Sequence, residues 1–339
     1  MSADGIVAVL IGAGSEIGRE VANVLRERDL AIAEWRLYDD APADTAYDAD
    51  ESGADILPLS EVDLAGADVV FLCGGAAPAS VWAPQAASEG ALAIDVTHEP
   101  ADSSDTVLLV PEVNPEALAD GVERGLLACP VPCATALAVV LKPLDAAAEL
   151  KRLVVTALEP ASAAGRPGID ELAQQTRDLL SGAGADVDVF PHRIAFNVIP
   201  QVGDFVSGGR TRGEWLIESQ LRRLLALPDL PIAVSSVLVP AFFGHACSVH
   251  VEMERALDAT DARALLRQAP GLLLAEEDDP DRYPTLADVI GSEATHVGRV
   301  RDDPTVPYGL TLWVAIDGLR KGAAVNAVQI AERALRGRA

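Results

Sequence analysis

Cys133 lies in the stretch Ala128-Cys129-Pro130-Val131-Pro132-Cys133-Ala134-Thr135, in which two prolines hold an extended lead-in and the small and aliphatic residues that follow read as a buried helix. The cysteine therefore falls at or just before a helix N-terminus. Unpaired N–H groups and the positive end of the helix dipole favour a thiolate there, which lowers a cysteine pKa and makes the sulfur a nucleophile near neutral pH. The same position also suits a small core cysteine in an Ala-rich turn.

A second constellation stands near the start of the chain. The apolar run Gly5 to Ile11 leads directly into Gly12-Ala13-Gly14-Ser15-Glu16-Ile17-Gly18 and then into a helical pattern, Arg19 to Arg28. A strand, a glycine turn and a helix in that order make a dinucleotide fingerprint, in which the glycines let a pyrophosphate approach backbone N–H groups at the helix N-terminus. Gly12, Gly14, Ser15, Glu16, Ile17 and Gly18 are the candidate cofactor contacts, although the third glycine comes one residue later than in G-x-G-x-x-G. A second strand, Ile32 to Tyr38, ends in Asp39-Asp40, about 20 residues beyond the loop, where an acid would hydrogen-bond the adenosine ribose. Asp39 takes that role in this reading, and Asp40 reads as a solvated neighbour. The loop Cys73-Gly74-Gly75 follows a further apolar strand, Ala67 to Leu72, and is placed at the carboxyl edge of the same sheet, beside the cofactor.

Composition narrows the remaining functions. The 339 residues point to two domains, and 52 acidic against 26 basic residues give a formal charge of −26. Such a surface repels nucleic-acid phosphates and anionic membranes, so neither is expected as a partner. No apolar run reaches membrane-spanning length and the N-terminus lacks a signal-peptide pattern, which predicts a cytoplasmic protein. Four scattered cysteines, at 73, 129, 133 and 247, fit reduced thiols, and no second close Cys or His pair follows Cys129 and Cys133, so no metal site is expected.

The order of elements predicts an α/β fold. Strands alternate with helices over the first part, giving a Rossmann-type doubly wound parallel sheet. The chain crosses into a second, α+β domain at the cysteine segment, which sets the domains at residues 1–130 and 131–319. In the second domain Lys151 to Ala157, Asp188 to Phe190, Ile232 to Pro240, Cys247 to Glu254 and Thr311 to Ile316 read as strands. Helices are placed at Ile169 to Leu180, Arg212 to Leu225 and Thr260 to Gln268. Pro270 to Pro307, rich in Asp, Glu and Pro, reads as a surface excursion. Ala323 to Arg338 reads as an amphipathic terminal helix.

Taken in register, the glycine loop, Pro111-Glu112-Val113-Asn114, the Cys133 segment, Ala161-Ser162-Ala163-Ala164-Gly165, Ile194 to Pro200, Gly244-His245, Val297-Gly298-Arg299 and Leu319 to Ala324 resemble the aspartate-β-semialdehyde dehydrogenase family. The resemblance runs from about residue 5 to the C-terminus. It implies a Rossmann domain completed by the C-terminal segment 320–339, and a catalytic and dimerisation domain of the glyceraldehyde-3-phosphate dehydrogenase type. It also implies a homodimer acting on a small-molecule aldehyde or acyl phosphate with NAD(P)(H). In that chemistry a cysteine forms a thiohemiacetal, hydride passes to the nicotinamide, and phosphate resolves the resulting thioester. Cys133 matches the nucleophile and His245 the acid/base histidine. His98, His192, His250 and His296 are isolated and read as solvated or structural, and Cys73, Cys129 and Cys247 as packing residues.

The departures from the family pattern are specific. Pro132 replaces the asparagine before the nucleophile, and Glu159 stands where a glutamine holds the substrate carbonyl. Three anion-binding cations are replaced, by Leu216, by Leu238 and by the His98-Glu99-Pro100 segment. By these losses the chain is most similar to the Usg-like paralogue branch, and aspartyl substrates are expected to be handled poorly unless Arg166, Arg210 or Arg212 supplies a substitute cation. Two alternatives follow: a catalytically silent paralogue that binds nucleotide or a partner, and a dehydrogenase for a different aldehyde. Asp39 favours NAD, because a carboxylate there repels a 2′-phosphate, whereas the family resemblance favours NADP.

Overall fold

The computed structural model describes residues 5–28, 30–40, 55–74, 79–97, 106–275 and 282–336. The chain divides into two compact units, Met1–Pro130 with Gly322–Ala339, and Val131–Lys321.

In the first unit β1 (Ile6–Ile11), α1 (Glu16–Glu27), β2 (Ile32–Tyr38), β3 (Ile56–Leu57), β4 (Val69–Leu72), α2 (Ala79–Ser88), β5 (Leu92–Asp95), β6 (Val107–Leu108), α3 (Leu118–Arg124) and β7 (Leu126–Ala128) follow in order. All seven strands pair in parallel, in the order β3-β2-β1-β4-β5-β7-β6. Such a sheet is buried on both faces, and this is why its central strands are continuous apolar runs. Ala8, Leu10, Val69 and Phe71 face one core with Val21 and Leu25 of α1, while Val9, Ile11, Val70 and Leu72 face the other with Ala83 and Ala86 of α2.

The second unit opens with α4 (Pro132–Ala148), whose residues Cys133 to Leu141 are all buried. A helix that is apolar all round belongs inside. It lies against β8 (Leu150–Glu159), and α5 (Gly165–Leu180), α6 (Arg212–Leu225), β9 (Ile232–Leu238), β10 (His245–Met253), α7 (Ala259–Gln268), β11 (Leu272–Leu274), β12 (Thr295–Asp303) and β13 (Gly309–Ile316) complete the unit. The six strands form a mixed sheet, β11-β12-β13-β10-β8-β9, with parallel pairs only at its two ends. Leu153, Val155, Ala157, Cys247, Val249 and Val314 are buried on one face, and on the other Thr156, Ser248, His250 and Trp313 stay at least partly exposed. None of the helices described is long and apolar enough to cross a membrane.

Two expectations are corrected here. Asp188 to Phe190 is not a strand, because Glu171 and Gln175 of α5 take the backbone N–H groups of Asp188, Val189 and Ile194 and the carbonyl of Asp186 that a ladder would otherwise use. The acidic segment 270–307 is not merely a surface excursion: it contributes β11 and β12, with Val297 fully buried between strands. The terminal helix is present as expected and opens with a π-helical stretch, Arg320–Val325, that leads into α8 (Asn326–Arg336). That helix packs Val328, Ile330 and Leu335 into the core of the first unit, and Asn326 donates to the Leu109 carbonyl at 2.9 Å.

Candidate active site

In the first unit the glycine loop is built by close approach. Gly12 has φ +83°, and a Cβ there would lie 2.4 Å from the Gly74 nitrogen. A Cβ on Gly18 would lie 2.3 Å from the Gly12 carbonyl, so the late third glycine has a packing reason of its own. Ser15 is the N-cap of α1: its Oγ accepts from Gly18 N–H at 3.0 Å and shares its proton between the carbonyls of Gly12 and Cys73, at 2.7 and 3.0 Å. The hydroxyl thus ties the β1 loop to the β4 loop. Asp39 accepts the Gly14 N–H at 2.8 Å on Oδ2, which places its carboxylate at the rim of the loop. Glu16 begins α1 and lies 4.0 Å from Arg19, while Ile17 packs partly buried against the sheet. Gly75 lies outside the described residues, as do His98 and Glu99. A backbone cradle with no room for side chains, opening on the N-terminus of a twelve-residue helix, fits a dinucleotide pyrophosphate.

In the second unit the structure brings Cys133, Glu159 and His245 together. Val131 is the N-cap of α4, its N–H held by Gln220 Oε1 at 2.8 Å, and Pro132 occupies the first helical position. Cys133 is consequently in the first turn. Glu159 ends β8, and His245 begins β10 on the same face, since Ala246 pairs with Leu158 in the antiparallel ladder. The Cys133 thiol donates to Glu159 Oε1 at 3.5 Å, and Glu159 Oε2 lies 3.1 Å from His245 Nε2, so one buried carboxylate bridges the sulfur and the imidazole. His245 Nδ1 is buried with no hydrogen-bond partner among the described residues. Gly318 presses on that edge of the ring: a Cβ there would meet Cε1 and Nδ1 at 2.3 Å.

The thiol does not titrate as the helix-dipole argument expects. Its hydrogen bond with Cys247, then burial, then the charges of Cys247 and Glu159 hold it well above the ordinary thiol value. The helix terminus is present, but the loss of water and an acidic neighbour outweigh it. Cys247, read from sequence as a packing residue, follows His245 by two positions on β10 and so shares its face, a relation that becomes visible only once the strand and α4 are assembled.

Two of the three positions where the resemblance expects cations are occupied by packed aliphatics. Leu238 lies beside Glu159 on β9, within an apolar cluster of Ala161, Leu172, Ile194 and Ile199, and Leu216 is buried on α6. Glu214, two residues earlier, forms a capping box with Thr211 and also accepts the Ser236 N–H. Of the substitute cations considered, Arg166 pairs with Asp170 and Arg210 with Glu218.

A doubly wound parallel sheet followed by a mixed, helix-backed sheet defines a two-domain α/β protein of the glyceraldehyde-3-phosphate dehydrogenase type. The family profile described as semialdehyde dehydrogenase, NAD binding domain, matches residues 7–121, and the profile described as semialdehyde dehydrogenase, dimerisation domain, matches residues 141–321. The chain is 35% identical over 330 residues to the aspartate-semialdehyde dehydrogenase of Shewanella violacea, covering 97% of each chain. It is 36% identical to aspartate-semialdehyde dehydrogenase 2 of Vibrio cholerae, covering 96% of this chain and 97% of that one. The crystal structure of aspartate semialdehyde dehydrogenase II from Vibrio cholerae complexed with ASA superimposes with a TM-score of 0.92 at 35% identity, covering 98% of each chain. The chain belongs to the aspartate-semialdehyde dehydrogenase family. These matches establish the family and do not establish the narrower Usg-like branch.

Proposed function

We propose that the chain is an aspartate-semialdehyde dehydrogenase-type oxidoreductase, interconverting an aldehyde and an acyl phosphate with NAD(P)(H) through a thioester on Cys133. The contact chain from Cys133 Sγ through Glu159 to His245 Nε2 carries this reading. Deprotonated Cys133 attacks the aldehyde carbonyl, with Glu159 Oε1 placed to accept the thiol proton. His245 moves the proton of the hemithioacetal oxygen, and Gly318 leaves the space that its ring edge occupies. A nicotinamide dinucleotide bound at the glycine loop supplies the hydride acceptor or donor. Phosphate then attacks the Cys133 thioester and frees the sulfur. A silent paralogue is not favoured, because full-length relatives bearing the enzyme's name match the whole chain and the cysteine and histidine both remain.

The finer parts of the reading rest on single features. Asp39, at the rim of the glycine loop, favours NAD over NADP, since its carboxylate accepts a ribose hydroxyl and repels a 2′-phosphate. The partly exposed face of the mixed sheet suits pairing with a second copy of the chain, and four buried free thiols suit a cytoplasmic, reducing compartment. Leu216 and Leu238, packed where the resemblance expects cations, support weaker binding of the aspartyl anion within the same activity. A charged hydrogen bond to a substrate anion is worth about 1.5–3 kcal/mol, so losing two costs roughly two to four orders of magnitude in kcat/KM. The experiment follows nicotinamide absorbance with aspartate semialdehyde, phosphate and either cofactor, with Cys133→Ser as control. Phosphate-dependent reduction of NAD that vanishes in the control is the expected result. Turnover that survives Cys133→Ser would refute the thioester route, and kcat/KM equal to that of the Vibrio cholerae relative would refute the loss of the anion clamp.

A further inference from the structure

Ile316, the last residue of β13, is the cross-strand partner of His245, and the chain turns immediately afterwards through Asp317 and Gly318. An Asp-Gly pair after an apolar strand is a turn signal, because the carboxylate can take the N–H groups of the residues that follow. Asp317 does so: its Oδ1 accepts the Leu319 and Arg320 N–H groups, each at 3.0 Å, and its Oδ2 accepts the Gly291 N–H at 2.8 Å. The carboxylate is buried, so shifting this turn would break three charged hydrogen bonds away from water. Gly318 is thereby fixed at the edge of the His245 ring.

The fit at that edge is steric. His245 Nδ1 has no hydrogen-bond partner among the described residues, so no polar contact holds this side of the imidazole. A Cβ on Gly318 would lie 2.3 Å from both Cε1 and Nδ1, and 3.2 Å from the Cβ of Pro132, the first residue of α4. Turning the ring over about χ2 gives no relief. The turn exchanges Cε1 with Nε2 and Nδ1 with Cδ2, so ring atoms fill the same space and Nε2 is carried away from Glu159. With the turn locked, a side chain at position 318 forces the ring out of its place, and the 3.1 Å contact between Nε2 and Glu159 Oε2 goes with it. We propose that Gly318 is a positioning residue for His245: a bare Cα, on a turn locked by Asp317, admits the imidazole to the placement in which Nε2 reaches Glu159. Gly318 touches no reacting atom and acts through the ring. The kinetic part of this inference rests on the acid/base role given to His245 above; the placement does not.

The test joins a stability cycle to steady-state kinetics on the full chain. Gly318→Ala is expected to lower the urea midpoint of the unaltered chain and to leave that of His245→Ala where it was, since the added Cβ then meets no ring. Gly184→Ala, whose Cβ would meet nothing within 4 Å, is the control and should move the midpoint in neither background. With aspartate semialdehyde, cofactor and phosphate, Gly318→Ala should lower kcat by about 10²-fold, leave KM nearly unchanged, and flatten the same limb of the pH profile that His245→Ala flattens. An equal loss of midpoint in the two backgrounds would assign the effect to the backbone or to Pro132 and overturn the proposal, as would an unaltered kcat and pH profile. If Gly318→Ala does not fold, the double variant with His245→Ala decides: its folding supports the proposal and its failure beside a folded His245→Ala overturns it. Absence of Cys133-dependent turnover in the unaltered chain would refute the reaction instead, and the stability cycle would still decide the placement.

Discussion

Glu159 is the residue on which the chemistry of the second unit turns, because it touches the sulfur on one side and the imidazole on the other. Replacing it by glutamine keeps the size and both hydrogen-bonding positions while removing the charge. Glu159→Gln is therefore expected to speed alkylation of Cys133 at neutral pH, by roughly tenfold for each pKa unit recovered, and to lower KM for a carboxylate-bearing aldehyde. Iodoacetamide kinetics read by peptide mapping check the first, steady-state assays the second; an unchanged alkylation rate would mean that Cys247 and burial alone hold the thiol. The raised thiol also ties folding to pH. Cys73 is pushed up as well, by burial first and then by the charge of Asp95. A folded-state value above the unfolded one gives stability that is complete below the unfolded thiol value and is lost as pH rises through the folded one. Urea unfolding should thus show a falling midpoint above neutral pH, and Cys73→Ala should flatten that fall. A midpoint that holds steady into the alkaline range in the unaltered chain would contradict the burial argument.

At the scale of elements, the position of Cys133 depends on α6 as much as on α4. No side chain caps α4; instead Gln220 of α6 accepts the Val131 N–H, and Gln220 is itself fully buried. Gln220→Leu would strand that buried donor, costing about 1–3 kcal/mol of stability. It should also lower kcat, because the first turn of α4 is no longer fixed against its neighbour. Urea unfolding and turnover measured side by side would show both losses, and a stability loss with intact turnover would confine Gln220 to packing. The elements themselves differ in how far the sequence reveals them. Ile6–Ile11 and Val69–Leu72 are legible because a strand buried on both faces is an unbroken apolar run. Thr295–Asp303 is not, because its outward positions carry Arg299, Arg301 and Asp302 inside a Pro- and Asp-rich stretch, and its inward positions gain meaning only from β13. Cys133 and His245 stand out in the sequence because their neighbours resemble a known pattern. The bridging position of Glu159 and the approach of Cys247 do not, since both arise from the pleat of β8 and β10 meeting the start of α4.

For the whole molecule the dominant long-range quantity is charge. At −26 the surface repels itself, and salt that shortens the Debye length from about 10 Å at 0.1 M to about 3 Å at 1 M should raise Tm steadily. A scan of thermal unfolding against KCl checks this; a Tm that falls with salt would mean that surface ion pairs such as Arg124–Asp120 outweigh the net repulsion. The chain's return to its first unit has a consequence of a different kind. Ala323, Val328, Ile330 and Leu335 complete the core that Leu10, Phe71 and Ile94 begin, yet the whole of the second unit, Val131–Lys321, is made between them. Synthesis runs at about 5–20 residues per second, so with roughly 190 residues intervening, one face of the parallel sheet waits about 10–40 s on the ribosome before its final layer emerges. A nascent chain that stalls or is cut short in that interval carries an open apolar face, and any chain that ends before Ala323 lacks the residues that cover it.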